Sequence, residues 1–253
     1  MDQQIRPWMY KVASETPALI FCILLLLLIS YIFSLFNLYA LIGLVVIGLI
    51  YVRLNQAQYI GNAIKVHNYQ FADLYDIFKN QAKRLNISKA GLYIKQDPEM
   101  NAFALGITRC SIVLTSALVE QMNQKELSFV IGHELGHFKA KHTIISTLIN
   151  PLGTGNVFSS LIFGLWQRQT ELSADRCGLI LVKDIDVAIS SMVKLSVGGK
   201  LYSQINMQGY ISQISKSNDA TVKLSEILLD HPLTTTRIRK LYIYWKEHFI
   251  SKT

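Results

Sequence analysis

Cysteine is scarce in this chain and placed without pattern. The three residues, Cys22, Cys110 and Cys177, show no metal-clasping spacing, and an odd number cannot pair off into a disulfide framework. Such a set suits a reducing compartment. Internal repeats and low-complexity stretches are absent, which excludes solenoids, propellers and compositional linkers. Charge is missing altogether from Thr16 to Val52. Acidic residues are in deficit overall, with 25 Lys and Arg against 17 Asp and Glu, a net charge of +8. No recognition motif for nucleic acid accompanies that charge, so nucleic acid is not an expected partner. A basic surface working beside anionic lipid headgroups is the better fit.

The uncharged run is too long for one transmembrane helix of about 20 residues. It predicts two spans, near residues 19–36 and 38–52, turning around Asn37, with Arg53 snorkelling at the end of the shorter one. No small-residue cleavage site follows, so a cleaved signal peptide is not expected. Arg6 and Lys11 precede the run, Arg53 and Lys65 follow it, and the turn has neither Lys nor Arg. The positive-inside rule then puts both ends in the cytoplasm. Residues 1–54 are accordingly expected as a membrane hairpin and 55–253 as a second domain facing the cytoplasm.

The chemistry begins at His133-Glu134-Leu135-Gly136-His137. On an α-helix a four-residue step turns about 400°, so both imidazoles leave nearly one face. They supply two ligands for a divalent metal. Glu134 projects about 100° further round, suited to deprotonating a metal-activated water rather than to ligation. The segment 124–142 predicts the helix, opened by an Asn123–Glu126 capping box. Leu127, Val130, Ile131, Leu135 and Phe138 supply its apolar face.

A third ligand is needed. Residues 140 and 143 are Ala and Thr, which excludes the extended motif with a glycine and a third histidine. Glu171 is the best remaining candidate. It shares a face with Asp175, four residues on, in a helix expected over 170–182. One carboxylate can take the metal while the other accepts the outer N–H of a ligand histidine.

Four stretches together are far more specific than the histidine pair. They are Asn101-Ala-Phe-Ala-Leu-Gly106, Gly132–His137 with His142 beyond, Glu171–Gly178, and His231-Pro232 followed by Arg237-Ile238. In this order they resemble the HtpX-like and CAAX-prenyl-endopeptidase family of membrane zinc metallopeptidases, over about residues 60–245. The resemblance implies one Zn2+ per chain at His133, His137 and Glu171, with Glu134 as general base. It implies an edge strand at Asn101, Ala102, Phe103 and Ala104 that takes peptide by main-chain pairing. It also implies that His231 and Arg237 stabilise the oxyanion, or that His231 fills the fourth metal position in a resting state. Read by itself, 102–107 is only a short strand, and His-Pro is ordinary helix punctuation.

A third apolar stretch, 143–166, separates the two halves of the site. A single crossing there would strand Glu171 on the far side of the membrane from both histidines. The stretch is therefore expected as a re-entrant hairpin, an interfacial segment or a buried part of the domain, broken at Pro151, Gly153, Gly155 and Asn156. Relatives of the HtpX type have a longer insertion here.

The expected fold is mainly α: an α+β catalytic domain of zincin type with a small antiparallel sheet (91–96, 101–107, 111–115), behind a transmembrane hairpin. Further helices are expected at 69–85, 184–197, 201–214, 220–229 and 234–249. The functional expectation is a membrane zinc endopeptidase of a bacterial-type cell membrane, cutting membrane or membrane-proximal proteins in quality control. The alternative is a noncatalytic membrane adaptor that keeps a structural zinc site.

Overall fold

A computed structural model describes residues 4–149, 157–206, 208–210, 212 and 233–250. The first long element, α1, spans Glu15–Gly61. It is followed by β1 (Ala63–Lys65), α2 (Ala72–Arg84), β2 (Ala90–Lys95), β3 (Ala102–Leu105) and β4 (Cys110–Thr115). Next come α3 (Ser116–Gln121), α4 (Gln124–Lys139), α5 (His142–Ile149), α6 (Val157–Val182) and α7 (Ile185–Val197), and the helix Thr234–Trp245 lies near the C-terminus.

The sheet corrects the sequence expectation in two ways. Its order is β1-β2-β4-β3, and β2 pairs with β4 in parallel, so it is mixed rather than antiparallel. The connection after β2 carries the chain past the β4 position, so that β3 lies at the edge and β4 returns antiparallel to it, between the two. Gly106, at φ 109°, makes that return possible, because a Cβ there would lie 2.0 Å from the Arg109 carbonyl oxygen. The edge strand β1 adds a fourth strand that the sequence does not signal, since three residues carry too little alternation to be recognised.

Helix α4 runs through the middle of the domain, with almost every residue from Glu126 to Gly136 buried. The predicted capping box is formed: Asn123 Oδ1 accepts from the Glu126 N–H at 3.0 Å, and Glu126 Oε2 accepts from the Asn123 N–H at 2.9 Å. The same carboxylate accepts from Lys194 Nζ at 2.8 Å and Ser190 Oγ at 3.0 Å, tying α4 to α7. The helix stops at Lys139, short of the expected 142, because Lys141 turns left-handed at φ 66°. Helices α4 and α6 approach closely through glycine: a Cβ on Gly136 would meet the Cys177 Cβ at 2.8 Å, and one on Gly178 the Phe129 oxygen at 2.9 Å.

Helix α1 covers both expected spans as one element. Helical backbone continues through Asn37 without a break. No Gly or Pro lies between Ala18 and Ile42, and one Asn costs a helix under about 0.7 kcal/mol. Yet the path is not straight. Tyr51 would stand about 54 Å along a straight helix from Glu15. Glu15 is bonded to His142, however, and Tyr51 lines one cleft with His142. Further along, Tyr59 packs edge-on against Phe103 of β3, with ring centroids 4.9 Å apart. Both ends of α1 therefore return to the same domain. Its first half packs Leu19, Cys22, Leu26 and Ile29 against Ile162, Phe163 and Trp166. This half, Glu15–Leu35, is long and apolar enough to cross a membrane.

The stretch before α1 packs against the catalytic half of the chain. Ile5 and Tyr10 are buried in the main core. The Ile5 N–H donates to the Arg84 oxygen at 2.9 Å, and Val12 N–H to Ser173 Oγ at 3.0 Å. In the third apolar stretch, Ile162, Phe163 and Trp166 are buried against α1, while the break at 151–156 lies outside the described residues. Helices 69–85, 184–197 and 234–249 appear at Ala72–Arg84, Ile185–Val197 and Thr234–Trp245. The expected helix at 201–214 is represented by a single turn, Gly199–Tyr202, and by short described pieces beyond. The expected helix at 220–229 lies outside the described residues.

Candidate metal centre

Helices α4 and α6, held close by their glycines, bring three donors together. His133 Nε2 and His137 Nε2 are 3.1 Å apart. Glu171 Oε1 lies 3.3 Å from His137 Nε2, and Oε2 lies 3.5 Å from His133 Nε2. Zinc bonds of about 2.0–2.2 Å arranged tetrahedrally place their donors about 3.3–3.6 Å apart. The two separations to Glu171 fall on that edge, and the one between the histidines, at 3.1 Å, is just short of it. Among the described residues this is also the one cluster of three such side chains close enough to share an ion, with all ligand atoms within 4.8 Å.

Each histidine has its other nitrogen fixed. His133 Nδ1 is 3.0 Å from Asp175 Oδ1. Arg237 forks onto Asp175, Nε to Oδ2 at 2.9 Å and a terminal nitrogen to Oδ1 at 2.6 Å, while its second terminal nitrogen meets Glu171 Oε2 at 3.1 Å. Three of the five guanidinium N–H groups face these two carboxylates. Arg237 thus bridges Asp175 and Glu171 beside the metal donors.

His137 Nδ1 is 3.1 Å from His142 Nδ1, and His142 Nε2 is 3.0 Å from Glu15 Oε1. The sequence reading had no role for His142 or Glu15. A five-residue step leaves the helix face of His137, and only the left-handed turn at Lys141 folds His142 back. No sequence signal could connect Glu15, which is 127 residues away.

The charges agree with a cation site. Burial disfavours a charged His133, but its bonds to Asp175 and Glu171 outweigh burial and lift it to about 10. A metal ion could supply the positive charge that these carboxylates hold there. Burial resists ionisation of Asp175 as well, yet Arg237 and His133 together keep its carboxyl below the usual range. Burial, reinforced by His137, pushes His142 down to about 4, so it is neutral near pH 7.

A cleft of about 740 Å³ opens onto the donors. Glu134 and Arg237 line it, as do Asn101, Ala102, Phe103 and Ala104. β3 is the edge strand there, with β4 as its partner among the described residues. Asn101 anchors its start: its N–H donates to Thr115 Oγ1 at 2.9 Å, and its Oδ1 caps the Ala102 N–H at 2.8 Å. His231 lies outside the described residues.

Comparison with known proteins agrees with this geometry. A model of peptidase family M48 matches residues 68–165 and 152–243. The chain is 30% identical over 205 residues to the plastoglobule-localized metallopeptidase 48 of Arabidopsis thaliana, covering 72% of this chain and 59% of that protein. It is 29% identical over 143 residues to a protease HtpX homolog of Streptococcus uberis, covering 51% of this chain and 48% of the relative. A protease HtpX homolog of Pelotomaculum thermopropionicum is 36% identical over 77 residues, 30% of this chain and 27% of the relative. The chain thus spans about three-fifths of the plant relative's length and half or less of these bacterial ones.

Proposed function

This chain belongs to peptidase family M48, and we propose that it is a membrane-bound, zinc-dependent endopeptidase acting on membrane or membrane-proximal proteins in quality control. The observation that carries the reading is the set of three donors 3.1–3.5 Å apart, close to the edge of a zinc tetrahedron, with Glu134 on the same cleft. Zinc held by His133, His137 and Glu171 would supply Lewis-acid polarisation of the scissile carbonyl and acidify water.

The chain's own residues do the rest. The edge of β3 binds an extended peptide through main-chain hydrogen bonds and sets its register. Glu134 takes the proton of the attacking water and delivers it to the leaving nitrogen. Asp175 holds the His133 ring, and Arg237 holds Asp175 and Glu171. Arg237 also lines the cleft and is a candidate to meet an oxyanion; His231 is a second candidate for that role or for the resting fourth ligand.

Membrane attachment is supported by α1. Leu24, Leu27, Leu28, Tyr31 and Leu35 are each more than half exposed, a surface far too apolar for water. Since both ends of α1 meet one domain, its path enters and leaves the bilayer on one side, and the flanking Arg6, Lys11, Arg53 and Lys65 make that side the cytoplasm.

The test is Glu134→Gln in the full chain, purified with its metal counted and assayed on casein and a model membrane protein. The expected result is one zinc per chain with at least a hundredfold loss of turnover. A variant that keeps its zinc and cleaves as fast as the parent refutes the mechanism. A parent that holds zinc and never turns over, even as His231→Ala, makes the noncatalytic adaptor the better reading.

A further inference from the structure

Glu15 is the first residue of the apolar helix, yet its side chain points into the domain and is only 2% exposed. Acidic residues in a first helical turn ordinarily sit in water, where the helix dipole favours them. Burying a carboxylate is costly unless it is paired and hydrogen-bonded. This one is fully engaged. Oε1 meets Lys11 Nζ at 2.8 Å and His142 Nε2 at 3.0 Å, and Oε2 accepts from Ser173 Oγ at 2.6 Å. Ser173 lies two residues from Glu171 and also receives the Val12 N–H. Nearby, the Tyr10 hydroxyl donates to the oxygen of Gly136, the residue before His137, at 3.3 Å.

The proton positions along the chain follow from its ends. His137 turns Nε2 toward His133 and Glu171, so a ligating His137 carries its proton on Nδ1. That proton is donated to His142 Nδ1. Neutral His142 must then bear its own proton on Nε2, which donates to Glu15 Oε1. One arrangement satisfies every contact, and it ends on a carboxylate that can only accept.

We propose that Glu15 and His142 are positioning residues for His137, so that the first turn of the apolar helix is part of the support of the metal site. The proposal rests on the metal-site reading above. Ligand histidines are held by an acceptor on their second nitrogen, and loss of that acceptor weakens metal binding by about 10–100-fold. Here the acceptor is relayed through a second imidazole to a residue more than a hundred positions earlier. Seating of the helix and retention of the metal therefore depend on each other.

The experiment uses the full chain in detergent or nanodiscs. Zinc affinity is measured by competition with a chromophoric chelator, and the absorption spectrum of the Co2+-substituted protein is recorded alongside. Glu15→Ala is expected to weaken zinc binding about 10–100-fold and to alter the Co2+ bands. Glu15→Gln, which keeps an acceptor oxygen, falls between it and the parent. The deciding arm combines variants: once His142→Ala is present, Glu15→Gln should cost no further zinc affinity. An equal additional loss in that background would show that Glu15 acts through general folding, and would overturn the proposal. Glu15→Ala binding within twofold of the parent with an unchanged Co2+ spectrum would overturn it too. Should Glu15→Ala fail to fold, the Glu15→Gln pair decides. A parent chain that binds no zinc, with His137→Ala no different, would refute the metal site itself.

Discussion

Replacing Asp175 with Asn probes a buried, fully engaged carboxylate at the metal centre. Asp175 is 1% exposed and takes three contacts of 3.0 Å or less, one from His133 and two from Arg237. An asparagine keeps one acceptor and presents one donor. If the amide nitrogen takes the Oδ2 place it faces the Arg237 Nε–H; if it takes the Oδ1 place it faces both His133 and the terminal Arg237 nitrogen. The first orientation costs less, so the His133 contact survives without its charge. Removing one partner of a buried pair costs about 3–5 kcal/mol. Arg237 keeps Glu171, which favours the lower end, about 3 kcal/mol. In a chain of this size that corresponds to a melting temperature lower by roughly 6–12 °C. Zinc affinity should fall by about tenfold, the lower bound for loss of a ligand's supporting group. The variant Asp175→Asn with Arg237→Met removes the stranded cation and should recover much of the melting temperature while zinc binding stays weak. Thermal melts of metal-free protein and chelator competition read the two effects separately. A single variant that melts within about 1 °C of the parent and holds zinc equally well would refute the role given to Asp175.

Three other outcomes are expected. In Gly136→Ala the new Cβ lies 2.8 Å from the Cys177 Cβ, so α4 and α6 must part. The cost should be about 1–3 kcal/mol, with zinc occupancy lost, as measured by melting and metal analysis. The pH dependence follows from His133, whose folded value of about 10 lies above its ordinary 6.5. In metal-free protein its contribution to stability is complete below 6.5 and disappears as pH rises through 10. The proton must leave before a metal binds, so apparent zinc affinity should climb by up to about tenfold per unit across that window. Chelator competition at several pH values would contradict this if the affinity were flat. For the edge strand, N-methylation of alternate amides in a peptide inhibitor should weaken binding about fivefold at positions of one parity and hardly at the other. Equal losses at every position would exclude strand pairing at β3.

The parts of the molecule that were legible in the sequence are those where local periodicity and local chemistry coincide. The capping box at Asn123, the shared face of His133 and His137, and the pairing of Glu171 with Asp175 all depend on steps of three or four residues. Helical geometry converts such steps directly into proximity. The rest depended on events without periodic signal. The left-handed turn at Lys141 brings His142 over His137, although nothing about a lysine announces such a turn. The parallel pairing of β2 with β4 depends on where a six-residue connection carries the chain, and side-chain alternation looks the same for either direction. Residues 5–15 find their partners at Arg84, Gly136, His142 and Ser173, all distant in sequence. Within the uncharged run, composition fixed apolarity but not the path, because Asn37 is a weak helix breaker.

The position of β3 at the edge of the sheet, facing the cleft, bears on what such an enzyme can discriminate. A slot that reads main-chain hydrogen bonds accepts any sequence held extended for several residues and refuses the same sequence folded. Selection then acts on a substrate's local opening equilibrium rather than on its side chains. Where opening is fast compared with cleavage, the rate follows the population of the open segment, and each 1.4 kcal/mol of lost local stability raises it about tenfold. The strand would work as a thermodynamic gauge, cutting proteins in proportion to how far they have already come apart.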